Sequence, residues 1–267
     1  MVEYTEAKQR KDILLPLFSR KAIVNMQDLV SDRIDEMCKA LVGQVKAGEA
    51  VYIYDAYNCF AMDTITSFCF ARSMNCLKEP GFKAPLLLSL RAAQALHPVV
   101  KHIPPFKLLS KFPDALVTFF DPGMKAVIGW RNMIRVQVKE VLQHPETLRD
   151  APHPIIYHEL LNEAHGRKIP TESSLRDEAV LLVAAGTETV SNAAIVGTMH
   201  VIANRNIYTK LQTELREAWP NLEERPRYET LERLVYLVGS LISYLGRPAN
   251  EFLVFLGRAQ SSKSLCD

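Results

Sequence analysis

The chain has 267 residues, of which 48% are hydrophobic and 23% charged, with 32 Lys and Arg against 30 Asp and Glu and a net charge of +2. These values fit a globular protein long enough to bury a sizeable core, and they exclude disordered and low-complexity classes. The near balance of charge leaves no footprint for nucleic acid. Five cysteines, Cys38, Cys59, Cys69, Cys76 and Cys266, contain no C-x-x-C pair, so neither a disulfide framework nor a structural zinc site is expected.

Read in order, the chain is mainly helical. Ser19 is placed to cap a long amphipathic helix from Arg20 to Lys46, with Ile23, Met26, Val30, Ile34, Met37, Leu41 and Val45 recurring at three- and four-residue steps. Ala50–Tyr54 (AVYIY) is the one strand-like run. Helical patterns resume over Tyr57–Arg72 and Gly81–Leu96, and His97–Pro122 carries five prolines and reads as a loop-rich connection. Gly123–Gln143 is a further helix with Val127, Trp130, Ile134, Val138 and Val141 on one face. Ile155–His165 is short and amphipathic. The longest helix runs from Thr171 to Ala203, followed by a charged surface helix over Asn206–Trp219 and a helical start at Glu229–Leu237. The apolar stretch Val180–Met199 is interrupted by Glu188 and Asn192, and is expected to be a buried core helix rather than a membrane span. No α/β alternation supports a doubly wound sheet.

Few enzyme motifs are present. There is no G-x-S-x-G, Walker loop or G-x-G-x-x-G. His158-Glu159-Leu160-Leu161-Asn162 fails as a zinc helix because its fifth position is Asn, and His153, His158 and His165 read as solvated loop and helix-edge residues; no metal ligand set is predicted. The informative segment is Ala184-Ala185-Gly186-Thr187-Glu188-Thr189, inside the longest helix. A mid-helix glycine costs about 1 kcal/mol relative to alanine. Thr189 is spaced to return its hydroxyl to the Ala185 carbonyl. Glu188 places a carboxylate in an apolar run, at a desolvation cost. Three small residues in a row leave a flat patch that a planar ligand can approach, or on which another helix can cross. Rule-breaking of this kind concentrates at functional sites. A second segment, Lys8 to Ser19, is a basic helical turn stopped at Pro16, and its Lys8, Arg10 and Lys11 are able to meet a ligand carboxylate.

Taken together and in this order, the segments resemble the cytochrome P450 family. Ile13-Leu14-Leu15-Pro16-Leu17-Phe18-Ser19 looks like the end of its C helix. Asp63-Thr64-Ile65-Thr66-Ser67-Phe68-Cys69-Phe70 resembles its E helix, and Ala185-Gly186-Thr187-Glu188-Thr189 its oxygen-activation motif, [AG]-G-x-[DE]-T, in the I helix. Leu231-Glu232-Arg233-Leu234-Val235-Tyr236-Leu237 is similar to the L-x-x-L-x-Y-L that opens its K helix. The style is most like fungal enzymes of secondary metabolism, similar to trichodiene oxygenases. The resemblance implies a mainly α, partial P450 fold, C to J helices plus the start of K, with little β structure. It also implies a haem cofactor, O2- and NADPH-reductase-dependent hydroxylation, a small apolar substrate, and no nucleic-acid partner. By the same resemblance, Ala185 and Gly186 would lie against the haem, Glu188 and Thr189 would relay protons during oxygen activation, and Lys11 with its neighbour Arg10 would contact a propionate. Ala7 stands where the family has an aromatic residue or His, which weakens that clamp.

The departures carry their own expectation. After Leu237 no Glu-x-x-Arg follows, and Glu224-Arg225-Pro226-Arg227 precedes the helix and contains proline. Cys266 stands in Lys263-Ser264-Leu265-Cys266-Asp267, without the glycines and arginine of the family's Cys haem loop. The expectation is a partial family domain over 1–237, a non-family tail over 238–267, and a truncated product that is inactive for want of the axial thiolate. The alternative is a non-catalytic helical fragment acting by interaction. The family's endoplasmic-reticulum anchor has no counterpart here, and localisation stays open.

Overall fold

In a computed structural model of the chain, which describes residues 8, 11–92, 124–162, 170–221 and 224–245, every regular element is helical. Arg10, the loop-rich stretch 97–122, His165 and Cys266 lie outside the described residues. After a 3-10 turn at Leu15–Phe18, the Ser19 hydroxyl accepts a hydrogen bond from the Ala22 amide at 3.3 Å and caps α1 (Arg20–Asn25) as the spacing predicts. The single helix expected over 20–46 is divided. Met26 leaves the helical region (φ −95°, ψ 7°), its amide bonds back to the Ile23 carbonyl, and α2 (Gln27–Lys46) starts afresh. No proline or glycine explains the break. Of the apolar stripe expected on this pair, Met37 is buried, whereas Ile23, Ile34 and Val45 are exposed.

The strand expected at Ala50–Tyr54 does not form. Residues 50–52 are irregular and α3 (Ile53–Phe70) begins on the run's own last residues. A strand needs a partner to satisfy its backbone, and among the described residues there is none. The free amides of Asp55 and Ala56 donate instead to the Tyr52 carbonyl, which starts a helix.

The chain divides into two compact units, Met1–Thr189 and Val190–Asp267. In the first, α3 runs through the core: Cys59, Met62, Cys69 and Phe70 are all buried. Asp63, in the same helix, is fully buried, and its carboxylate accepts from the amides of Cys76 and Leu77, both at 2.9 Å, at the start of the 3-10 turn Cys76–Lys78. Burial pushes its pKa up, and the two amides pull against that shift without cancelling it. A left-handed Ala71 (φ 52°) ends α3.

Helix α4 is described over 85–92, and α5 spans Met124–Gln143. The face predicted for α5, Val127, Trp130, Ile134, Val138 and Val141, is the face it buries. Its Gln137 amide donates to the Phe70 carbonyl at 3.0 Å and so ties α5 to the end of α3. The short α6 (Ile156–Leu160) buries Ile156, Tyr157 and Leu160. The histidines beside it are structural rather than solvated. His158 Nδ1 accepts from the Ile155 amide at 3.0 Å and Nε2 lies 2.9 Å from the Leu148 carbonyl, which assigns the ring proton to Nε2. His153 Nε2 meets the Phe68 carbonyl at 3.1 Å.

Helix α7 (Glu172–Ala203) buries Leu175, Ala179 and Val183, spaced four apart, with Thr187 next on the same stripe. The buried core helix expected here is buried mainly along that stripe: 22% of its most apolar 18-residue window is buried. In the second unit, α8 (Arg205–Ala218) starts at Asn204, whose side chain accepts from the Ile207 amide. A four-residue helix, α9 (Tyr228–Leu231), precedes α10 (Val235–Leu245). The Glu214 carboxylate of α8 accepts from the amides of Tyr236 and Leu237, both at 2.8 Å, and caps α10 from a distance in sequence. α10 runs through Leu237 and continues to Leu245.

Candidate functional site

The turn Ala184–Thr189 of α7 presents two different sides. Gly186 faces α3. A Cβ built on it would stand 2.6 Å from Ile65 Cγ1, 2.8 Å from Cδ1 and 3.2 Å from Cβ. The helical cost of this glycine is therefore offset by a backbone approach that no other residue permits. Thr187, the unspecified position of the motif, is buried on the same side. Its hydroxyl donates to the Val183 carbonyl at 2.7 Å and lies 3.8 Å from the Met62 sulfur. Thr187 and Ile65 stand in the quoted segments without a role of their own. The i−4 spacing of Thr187 to Val183 was the available signal for the first, and a crossing partner for Gly186 leaves no local signal at all.

The other side of the turn is open. Ala184, Ala185, Glu188 and Thr189 are exposed, and Leu181, one turn earlier, is 61% exposed. The spacing 181, 184/185, 188/189 makes these one continuous stripe. Thr189 Oγ1 donates to the Ala185 carbonyl at 2.6 Å, the bond its spacing predicts. Glu188, expected to stand at a desolvation cost in an apolar run, is an exposed residue of α7. The two readings of the small-residue patch, helix crossing and ligand face, are thus realised on opposite sides of one turn. Of the basic residues at the start, Lys8 and Lys11 are exposed, with Lys11 on the first described helical turn.

Beside this turn, α3, α4, α5 and α7 line a partly open cavity of about 90 Å³, mainly apolar. Its wall includes Tyr54, Asn58, Arg91, Trp130, Thr187 and Glu188. Arg91 is held by Asp55 (Nη1 to Oδ1, 2.6 Å), and its guanidinium carbon lies 4.5 Å over the Tyr54 ring. None of the wall residues from α3, α4 or α5 was singled out from sequence for a site, because each looks like an ordinary core or surface position of its own helix.

The model of the cytochrome P450 family matches residues 1–241. The chain belongs to the cytochrome P450 family. It is 30% identical over 243 residues to the cytochrome P450 monooxygenase MO6277 of Ascocoryne sarcoides, covering 87% of this chain and 47% of that protein. It is 31% identical over 242 residues to the cytochrome P450 monooxygenase tpcC of Cochliobolus heterostrophus, covering 89% and 46%. A solved structure, the cytochrome P450DA heme domain, superposes with a TM-score of 0.62 at 18% identity over 87% of this chain and 48% of that one, which shows the fold. The chain spans about half the length of the curated relatives it matches. P450 membership makes haem the implied cofactor, and the exposed stripe of α7 fits one face of it. At Ala184 and Ala185 no side chain beyond a methyl group stands off the helix, so a planar group can lie close to the backbone there. Among the described cysteines, Cys59, Cys69 and Cys76 are buried in the core, and burial pushes the thiols of Cys59 and Cys69 up to about 12.

Proposed function

We propose that this P450 chain is the α7-bearing part of a haem-thiolate monooxygenase of fungal secondary metabolism. It would place one oxygen atom of O2 into a small apolar metabolite, with electrons from an NADPH-dependent cytochrome P450 reductase. The observation that carries the reading is the exposed Ala185–Glu188–Thr189 stripe, held in register by the Gly186 crossing, inside a chain the family model matches over 1–241. Its relatives include a cytochrome P450 monooxygenase of a grayanic acid biosynthesis cluster in Cladonia grayi, 26% identical over 294 residues. Haem, when bound, supplies the redox chemistry that activates dioxygen.

The chain's own residues bind, orient and carry protons. Thr189 holds a hydroxyl on the open stripe, oriented by its bond to the Ala185 carbonyl, and would give a proton to the reacting side once that bond is released. Glu188, adjacent and exposed, exchanges protons with solvent and resupplies that hydroxyl. Ala185 keeps the open stripe low enough for a planar cofactor, whereas Gly186, expected beside it, faces α3 and acts only by fixing the helix crossing. Lys11, with Arg10 beside it, offers positive charge to a propionate.

The finer proposal is that these 267 residues on their own do not turn over. Cys266 lacks the surrounding loop of the family, and Cys59, Cys69 and Cys76 are buried. The test is a reduced, CO-bound difference spectrum of the purified chain expressed with haem supplied. The expected result is no Soret band at the thiolate position; such a band would overturn the proposal of inactivity. The monooxygenase reading itself is tested by Thr189→Ala in the chain extended by a family Glu-x-x-Arg and Cys-loop segment. Oxygen consumption should continue while product falls, and equal loss of both would overturn the proton-donor role.

A further inference from the structure

Helix α8 is polar along most of its surface and gathers its large apolar side chains on one stripe. Tyr208, Leu211, Leu215 and Trp219 recur at three- and four-residue steps. With Val201 from the end of α7 they line an open groove of about 250 Å³, almost wholly apolar. The groove is pre-shaped: Gln212 donates to the Tyr208 hydroxyl at 3.3 Å, and the Arg205 guanidinium carbon lies 5.5 Å over the Tyr208 ring. An apolar cavity of about 150 Å³ holds a benzene ring, so this groove has room for a phenyl ring and an aliphatic neighbour. Among the described residues, none from α10 lines it. α10 meets the adjacent face of α8, through Glu214 and through Lys210, whose Nζ lies 5.9 Å over the Tyr236 ring.

The chain's own sequence supplies an occupant. α10 ends at Leu245, and 246–267 follow, outside the described residues. They include Phe252-Leu253-Val254-Phe255-Leu256, between Glu251 and Gly257. Consecutive apolar residues with neither helical nor strand period fit full burial rather than a half-exposed element. The run lies past residue 241, where the family match ends. It is also within reach. From Leu237, beside Glu214, to Leu245 is about 12 Å along the helix axis, and α8 is about 10 Å across. The linker 246–251 spans about 20 Å when extended, enough to cover both steps. Its Gly246 and Pro248 are residue types that end a helix and permit a turn. Charge agrees: Arg216 stands exposed on the groove wall, and Glu251 immediately precedes the run.

We propose that the apolar run 252–256 folds back into the α8 groove of its own chain, with Phe252 and Phe255 as anchors and Glu251 beside Arg216. The tail is then a built-in cover for an apolar face that water would otherwise meet. Neither haem nor the monooxygenase reading enters this inference.

The test uses the full 267-residue chain with benzoylphenylalanine in place of Phe255. After irradiation, peptide mass spectrometry should find most crosslinks within one molecule and in 208–219, in a share unchanged by tenfold dilution. Crosslinks spread over other segments, or none, would overturn the proposal. So would crosslinks between copies that fall on dilution, which would give the groove to a second chain. An independent readout is the indole N–H signals of the two tryptophans in the 15N-labelled chain, assigned with Trp219→Phe. Phe252→Asp combined with Phe255→Asp should move the Trp219 signal and leave that of Trp130 in place. A peptide of residues 249–260 added to that variant should restore the signal saturably, at least tenfold more tightly than the same peptide carrying both Asp substitutions. An unmoved Trp219 signal, or two peptides that bind alike, would overturn the proposal. The crosslinking chain keeps an aromatic ring at position 255, so it decides the question even if the Asp variant unfolds.

Discussion

Replacing Gly186 by alanine sets two effects of opposite sign against each other. Alanine inside a helix gains about 1 kcal/mol over glycine. At this position its methyl group would stand 2.6 Å and 2.8 Å from Ile65 Cγ1 and Cδ1, and 3.2 Å from Ile65 Cβ. Rotation about χ1 of Ile65 moves the first two atoms and leaves the third, so α7 and α3 must separate by a few tenths of an ångström. Overpacking of this kind costs about 1–3 kcal/mol. The net expectation for Gly186→Ala is a loss of about 0–2 kcal/mol, and in an Ile65→Ala background a gain of about 1 kcal/mol, because the obstructing atoms are gone. The coupling between the two sites is then about 1–3 kcal/mol, read from a double-mutant cycle in urea. If Gly186→Ala stabilises the chain by the same amount whether or not Ile65 is present, the tight crossing is refuted, and with it the account of why glycine stands there.

Other perturbations report on separate parts of the fold. Ser19→Ala should cost about 0.5–1 kcal/mol, the low end for a cap because its bond is long at 3.3 Å, with faster hydrogen exchange at Ala22. Glu214→Ala should release the amides of Tyr236 and Leu237 to exchange and cost about 1–3 kcal/mol of α10 stability, since two charge-assisted bonds vanish together. Asp63 titrates above its usual range in the folded chain, so its contribution is fully present below the ordinary carboxylate pKa and is lost as pH rises through the raised value. The stability of the chain minus that of Asp63→Asn should therefore fall with rising pH across that window; a difference that grows with pH contradicts the burial argument. Cys38 should react readily with a thiol reagent under native conditions while Cys59, Cys69 and Cys76 resist it, as peptide mass spectrometry can resolve.

Much of the fold was legible where one helix buries one face. The stripe Val127, Trp130, Ile134, Val138 and Val141 could be read from spacing, and it is the stripe that packs. So could Ser19 as a cap and the return of the Thr189 hydroxyl to Ala185, because both are decided within four residues of chain. What escaped depends on residues far apart. Ala50–Tyr54 has strand-forming side chains, but a strand needs a neighbour that periodicity cannot supply. His153 and His158 look solvated until the carbonyls of Phe68 and Leu148 are brought to them. At the site, the motif residues were visible as a broken helix pattern, whereas Ile65 matters because α3 crosses α7 at Gly186, and Thr187, Arg91 and Trp130 share one cavity wall only because four helices meet there.

Glu214 sets where the last described helix begins. The amides of Tyr236 and Leu237 carry no local cap; they are met by a carboxylate 22 and 23 residues earlier in the chain. The start of α10 is thus a property of a pair of helices and not of its own residues. A peptide cut from 228–245 would lose that anchor and fray from its front, and a chain emerging during synthesis can fix this helix start only once α8 is already folded to receive it.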